Sequence, residues 1–180
     1  MERSTATSGT GPHKRFVPSP APANDASHAP ENICDQLRRE HEQGLAELDA
    51  LRDERDERRC MTRLAALRRA WVIHALAEET VVYRALEGVA STERADERFV
   101  EHELAGNLFE QLSRARPLTL EWKARLNVLG EVMRRHIESE EDELFARLEQ
   151  RFAGKELADI GEQFRLAHDK LTLLESAKAA

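Results

Sequence analysis

Four histidines and two glutamates in this chain share a spacing that suits a metal ion. His74 is followed four residues on by Glu78, and His136 four residues on by Glu140. Side chains four apart on a helix stand one above the other on a single face. His41 follows Leu37 by four and His102 follows Phe99 by three, so both fall on apolar stripes as well. Burying four imidazoles and two carboxylates without partners would be very costly. Such a set ends either as a hydrogen-bonded ion network or around metal. Imidazole nitrogen and carboxylate oxygen without thiolate suit iron, manganese or zinc. Six ligands exceed what one four-coordinate zinc takes. They match two ions bridged by the two carboxylates, with positions left for water or a small molecule.

The elements that must position these residues are helices. From Glu31 onward Ala, Leu, Glu and Arg dominate and the only proline is Pro117; these are strong helix formers. Pro30-Glu31 suits a helix start, and the charged run from Arg52 to Arg59 suits a first reversal. Gly88 and Ser91-Thr92-Glu93 read as a stop and a new cap, Arg116-Pro117 as a third break with Thr119 as its cap, and Gly154 as a fourth. The spacing predicts helices near 31–56, 60–88, 92–114 and 119–151, and a shorter one near 155–176. Short connections make neighbours antiparallel, so the expected fold is all-α, an up-down antiparallel four-helix bundle with a short extra C-terminal helix. One candidate histidine falls on each long helix. There is also an internal repeat: His41 precedes His74 by 33 residues and His102 precedes His136 by 34, and each second histidine opens His-x-x-x-Glu-Glu.

The other residues have plainer expectations. Residues 1–30, with five of the six prolines, read as a disordered tail. Residues 31–153 then form the bundle and 154–180 a helical extension. Glu79 and Glu141 lie about 100° off the inward stripe and are expected at the surface or behind the ligands. Tyr83 falls off the stripe, and His168 reads as a surface residue without a partner. Trp71 and Trp122 read as core, and Cys34 and Cys60 as free structural thiols. Gly106 either leaves a coordination position open or lets helices approach closely, and on both readings a larger side chain there is expected to be harmful. The net charge of -7 disfavours a nucleic-acid partner. No apolar run reaches 18 residues, so no membrane span is expected. Two cysteines and no apolar leader segment point to a reducing, cytoplasmic setting. Nothing in the sequence sets the oligomeric state.

Residues 31–151 resemble a hemerythrin-like (HHE cation-binding) domain. The likeness is carried by His41, His74-x-x-x-Glu78, His102 and His136-x-x-x-Glu140, with the flanking Glu-Glu pairs and Leu144-Phe145. It implies a non-haem centre of two iron ions, carboxylate-bridged, inside a four-helix bundle. The implied ligand is a small diatomic molecule (O2 or NO), peroxide or iron itself, in sensing, storage or stress protection. The sequence departs from the oxygen-carrier members at Gly106, where they carry a second histidine on the third helix. It departs again at the last helix, where Glu140 at +4 stands in for an aspartate at +5. The missing histidine implies a more labile or more reactive centre. A peroxide-consuming or iron–sulfur-repair enzyme is therefore the alternative, and a metal-free helical interaction module is the second.

Overall fold

A computed structural model of the chain describes residues 31–86 and 92–178. The tail at 1–30 and the stop and cap at Gly88 and Ser91 lie outside these residues. The described residues are all-helical, in five helices. α1 is Ile33–Asp53. α2 is Glu57–Ala77, continued by a π-helical turn, Glu78–Val82, and a last turn, Tyr83–Ala85. α3 is Thr92–Arg114. α4 is Leu120–Ser139, continued by a second π-helical turn, Glu140–Leu144, and by Phe145–Arg151. α5 is Gly154–Lys178.

Side chains set the starts by accepting from backbone N–H groups that have no partner within the helix. Asn32 accepts from Cys34 N at 2.9 Å, so α1 opens two residues later than Pro30-Glu31 suggests. Asp56 accepts from Arg59 N at 2.8 Å, within the charged run expected to carry the first reversal. Thr119 accepts from Trp122 N at 3.2 Å, as expected. Glu156 accepts from Ala153 N at 2.8 Å and holds the chain as α5 begins.

α1 packs on α2, α2 on α3, α3 on α4, and α4 back on α1. The fifth helix corrects the sequence reading. It spans 25 residues, more than α1 or α3, and is no short appendage. It packs against α1, α2 and the end of α4, and buries Leu157, Ile160 and Phe164. Its Gly161 approaches the start of α1 so closely that a Cβ there would stand 2.2 Å from the Glu31 carbonyl oxygen. Hydrogen in place of a side chain lets the two backbones meet.

Two apolar clusters result. One joins α1 to α4 through Leu48, Leu64, Phe109, Trp122, Leu126 and Met133 among others. The second draws, among the described residues, on α1, α2, α4 and α5, through Ile33, Leu37, Val82, Phe145, Leu148 and Phe164 among others. On α1 and α4 the candidate residues lie between the two clusters along the helix. Cys34 and Cys60 are free thiols, one in each cluster. Burial pushes the Cys34 thiol up to about 11, so it stays protonated and inert at neutral pH.

Two stripe positions differ from expectation. Phe99 is 42% exposed, and Arg98 takes the inward position one turn before His102 at 4% exposure. A Cβ at Gly106 would meet nothing within 4 Å, so the expected harm from a side chain there is not supported. Gly106→Ala should raise stability by about 1 kcal/mol through helix propensity alone. Urea unfolding of the two chains measures the difference.

Candidate metal centre

Each inward histidine is held by a carboxylate of the preceding helix around the ring. Glu40 on α1 accepts from His74 Nδ1 on α2 at 2.8 Å. Glu79 on α2 accepts from His102 Nδ1 on α3 at 2.8 Å. Glu101 on α3 lies 3.2 Å from His136 Nδ1 on α4. Glu141 on α4 accepts from His41 Nδ1 on α1 at 2.9 Å and closes the circle. Each of these glutamates is the sequence neighbour of an inward residue on its own helix. A step of one residue turns the side chain by about 100°, toward the next helix. With every Nδ1–H donating outward, each Nε2 lone pair is left facing in, which is how a metal-binding imidazole is prepared.

Inside this ring the six candidates meet. Glu78 Oε2 is 3.4 Å from His74 Nε2 and 3.4 Å from His102 Nε2. Glu140 Oε2 is 3.4 Å from His41 Nε2 and 3.3 Å from His136 Nε2. His102 Nε2 and His136 Nε2 are 3.2 Å apart. All six residues are buried. Their donor atoms form two groups, His41, His74, Glu78 and Glu140 in one, and Glu78, His102 and His136 in the other.

The fit to cations rests on what these atoms lack. His41 Nε2, His74 Nε2, both oxygens of Glu78 and Glu140 Oε2 are buried without a hydrogen-bond partner. Buried polar atoms are rarely left so, and five of them converge here. Burial and the Glu140 charge push the Glu78 carboxyl well above the usual carboxylate range. Burial opposes charge on His136, yet Glu140, Glu101 and Glu78 raise it to about 9. The protein's own groups thus balance the site by holding protons. Cations would supply that balance with the ligands in their metal-binding states. Nitrogen and oxygen donors without sulfur suit a divalent first-row metal.

The structure adds residues that the stripe reading set aside. A π-helical turn carries an N–H to C=O bond from residue i+5 to residue i, here from Tyr83 to Glu78 and from Phe145 to Glu140. In an α-helix a residue five on points about 140° away; across a π turn it returns to the same face. Tyr83 is therefore turned inward. Its hydroxyl donates to Glu140 Oε1 at 2.7 Å, and its ring stacks on His102 at 6.0 Å. Burial and the Glu140 and Glu78 charges push this phenol well above its ordinary value, so it stays a donor. Phe145, at the matching place in the repeat, stacks on His41 at 6.2 Å. Arg98 Nε stands 3.9 Å from Glu140 Oε1. His168 of α5 also has a partner after all, Glu40 at 3.9 Å. The Phe164 ring meets the His74 ring edge-on at 6.3 Å.

A cleft of about 650 Å³ opens between α1 and α2. His41 and His74 line it, together with Leu67, Trp71, Met133 and Ile137. Its outer residues include Arg39, Arg69 and His168. The cleft brings solvent-facing space up to the imidazoles of one donor group.

A buried cluster of four histidines and two glutamates, carried by four packed helices, is a site that could hold cations. The chain belongs to the hemerythrin family: the hemerythrin HHE cation-binding domain matches residues 32–148. It is also 24% identical over 140 residues to a protein of Nostoc sp. (strain PCC 7120 / SAG 25.82 / UTEX 2576) named DNA nickase. That match covers 78% of this chain and 40% of the Nostoc protein, so the chain spans less than half of that relative's length. No solved structure matches the chain significantly. Among the described residues no helix is long and apolar enough to cross a membrane.

Proposed function

We propose that the chain is a non-haem di-iron protein built on an up-down four-helix bundle, acting in the cytoplasm. His41, His74, Glu78 and Glu140 in one donor group, and Glu78, His102 and His136 in the other, would hold the iron. Manganese and zinc fit the same donors. The observation that carries this reading is the set of five partnerless buried donor atoms between four oriented imidazoles. Bound iron supplies one-electron chemistry and coordination positions that the protein leaves open. The protein's part is to aim the four Nε2 atoms, to supply the anionic oxygens, and to exclude bulk water with the two apolar clusters.

The proposed ligand is a small diatomic molecule (O2 or NO) or peroxide, reaching His41 and His74 through the cleft. The net charge of -7 argues against a nucleic-acid partner, so the Nostoc relative's DNA nicking is not carried over. The enzyme reading, peroxide consumption, draws support from a cleft far larger than a diatomic molecule needs. The full chain, reconstituted anaerobically with ferrous iron, tests both readings. Oxygen or NO should give a near-ultraviolet charge-transfer band saturating at two irons per chain. An iron-loaded chain whose spectrum ignores both gases would defeat the ligand assignment. Hydrogen peroxide lost in many equivalents per chain marks turnover, and loss in one or two marks binding alone.

The pH response has a definite sign. The His136 value of about 9 in the folded chain lies above its ordinary 6.5. Its contribution to stability is therefore complete below pH 6.5 and lost as pH rises through 9. A metal-bound imidazole must be neutral, so metal affinity rises over the same window. The melting temperature of the chelator-stripped chain should fall between those two pH values. The gap between stripped and metal-loaded chains should widen.

A further inference from the structure

The cleft between α1 and α2 has the size and the lining of a site for an organic molecule. Its volume of about 650 Å³ falls within the roughly 300–1,000 Å³ of small-molecule sites. It runs beside residues 39–47 of α1 and 66–74 of α2, about 12 Å along each axis. Gly44 and Ala70 line it with little or no side chain and so leave it open. Leu67, Trp71, Met133 and Ile137, all buried, give it an apolar wall.

The charged residues of the lining differ in whether they already have partners. Glu47 accepts from Arg63 at 3.0 Å, and Glu40 from His74 at 2.8 Å with His168 beside it at 3.9 Å. Arg39 pairs with Glu31. Arg69 is exposed and, among the described residues, has neither an ion pair nor a hydrogen bond. An unpaired cation at the edge of an apolar hollow complements a molecule with one anionic group and an apolar body.

We propose that this cleft binds an acyl-chain carboxylate, its chain along Leu67, Trp71, Met133 and Ile137 and its carboxylate at Arg69. A guanidinium presents paired N–H donors that match a carboxylate. Each methylene the wall buries should tighten binding about fourfold. No metal ion takes part, so the proposal stands apart from the di-iron reading. An occupant fills the space that leads to His41 and His74.

Titration of the full chain with octanoate, decanoate and dodecanoate, each below its micelle concentration, tests this by tryptophan fluorescence and calorimetry. Trp71 and Trp122 are the two tryptophans. Trp122 is buried in the first cluster with its Nε1 donating to the Leu112 carbonyl at 3.1 Å, so a change in emission reports Trp71. Binding should be saturable at one molecule per chain and tighten roughly tenfold for each two carbons added. Arg69→Glu should weaken it at least about tenfold, the scale of a charged hydrogen bond. Arg68→Glu, an exposed neighbour outside the cleft, should leave it unchanged. Ala70→Leu should weaken it about as much by filling the opening, with melting temperatures checking that every variant is folded. Failure of dodecanoate to bind the full chain would overturn the proposal. So would equal losses from Arg68→Glu and Arg69→Glu, an affinity indifferent to chain length, or binding that begins only with micelles.

Discussion

Glu78→Gln should strip both metal ions from the protein while leaving the metal-free fold almost untouched. Glu78 is common to both donor groups, so losing its negative charge weakens both positions together. The loss should exceed the roughly 10–100-fold that removal of an outer partner costs. Metal-free stability behaves differently. Burial and the Glu140 charge push the Glu78 carboxyl up, so without metal it carries a proton and resembles glutamine in size and charge. The stripped variant should unfold within about 1 kcal/mol of the stripped wild type, the worth of an ordinary hydrogen bond. A structural ion network makes the opposite forecast. There, breaking a buried charge pair costs roughly 3–5 kcal/mol, with no metal content to lose. Metal analysis combined with urea unfolding of both stripped chains separates the two accounts.

The second large effect is expected at Phe164, outside the 32–148 span of the family match. This ring is 1% exposed in the second apolar cluster, and its edge packs against the His74 ring. Phe164→Ala should cost about 3–5 kcal/mol, the usual range for a fully buried phenylalanine. It should also lower metal affinity, because the His74 ring then loses its packing from α5 and is left to its Glu40 bond, Glu78 and its ring neighbours on α1 and α2. Leu173→Ala on the same helix is the control. Leu173 is 72% exposed, and surface changes of this kind stay within about 0.5 kcal/mol. Thermal unfolding of the three chains, with and without metal, checks both statements. Equal melting temperatures would mean that α5 is not part of the centre's support.

The six inward residues were legible in the sequence because helical periodicity acts within one helix. His74 with Glu78 and His136 with Glu140 need only the i, i+4 rule, and the structure brings both pairs together with His41 and His102. The partners behind them depend on which helix lies beside which, and periodicity does not carry that. Glu79 and Glu141 stood out only as neighbours of inward residues, and Glu40 and Glu101 did not stand out at all. The signal was present as two Glu-His doublets, Glu40-His41 and Glu101-His102, matched by two Glu-Glu doublets. Tyr83 was hidden for a different reason. Counting at 3.6 residues per turn fails across a π turn, and this residue follows one. Arg98 in place of Phe99 shows a third limit, since an arginine beside a buried carboxylate outcompetes a phenylalanine for the inward place. The fifth helix was visible as helix, but its length and its contact with the centre were not, because these depend on packing against α1 and α2.

The proposed function requires cations between the four imidazoles. The most direct measurement is elemental analysis of the full chain purified from iron-replete cells, repeated on a His74→Ala, His136→Ala double variant. About two iron ions per wild-type chain, and close to none in the folded double variant, is the expected result. A wild-type chain that carries no transition metal, takes none up from solution and is fully stable without it would contradict the account.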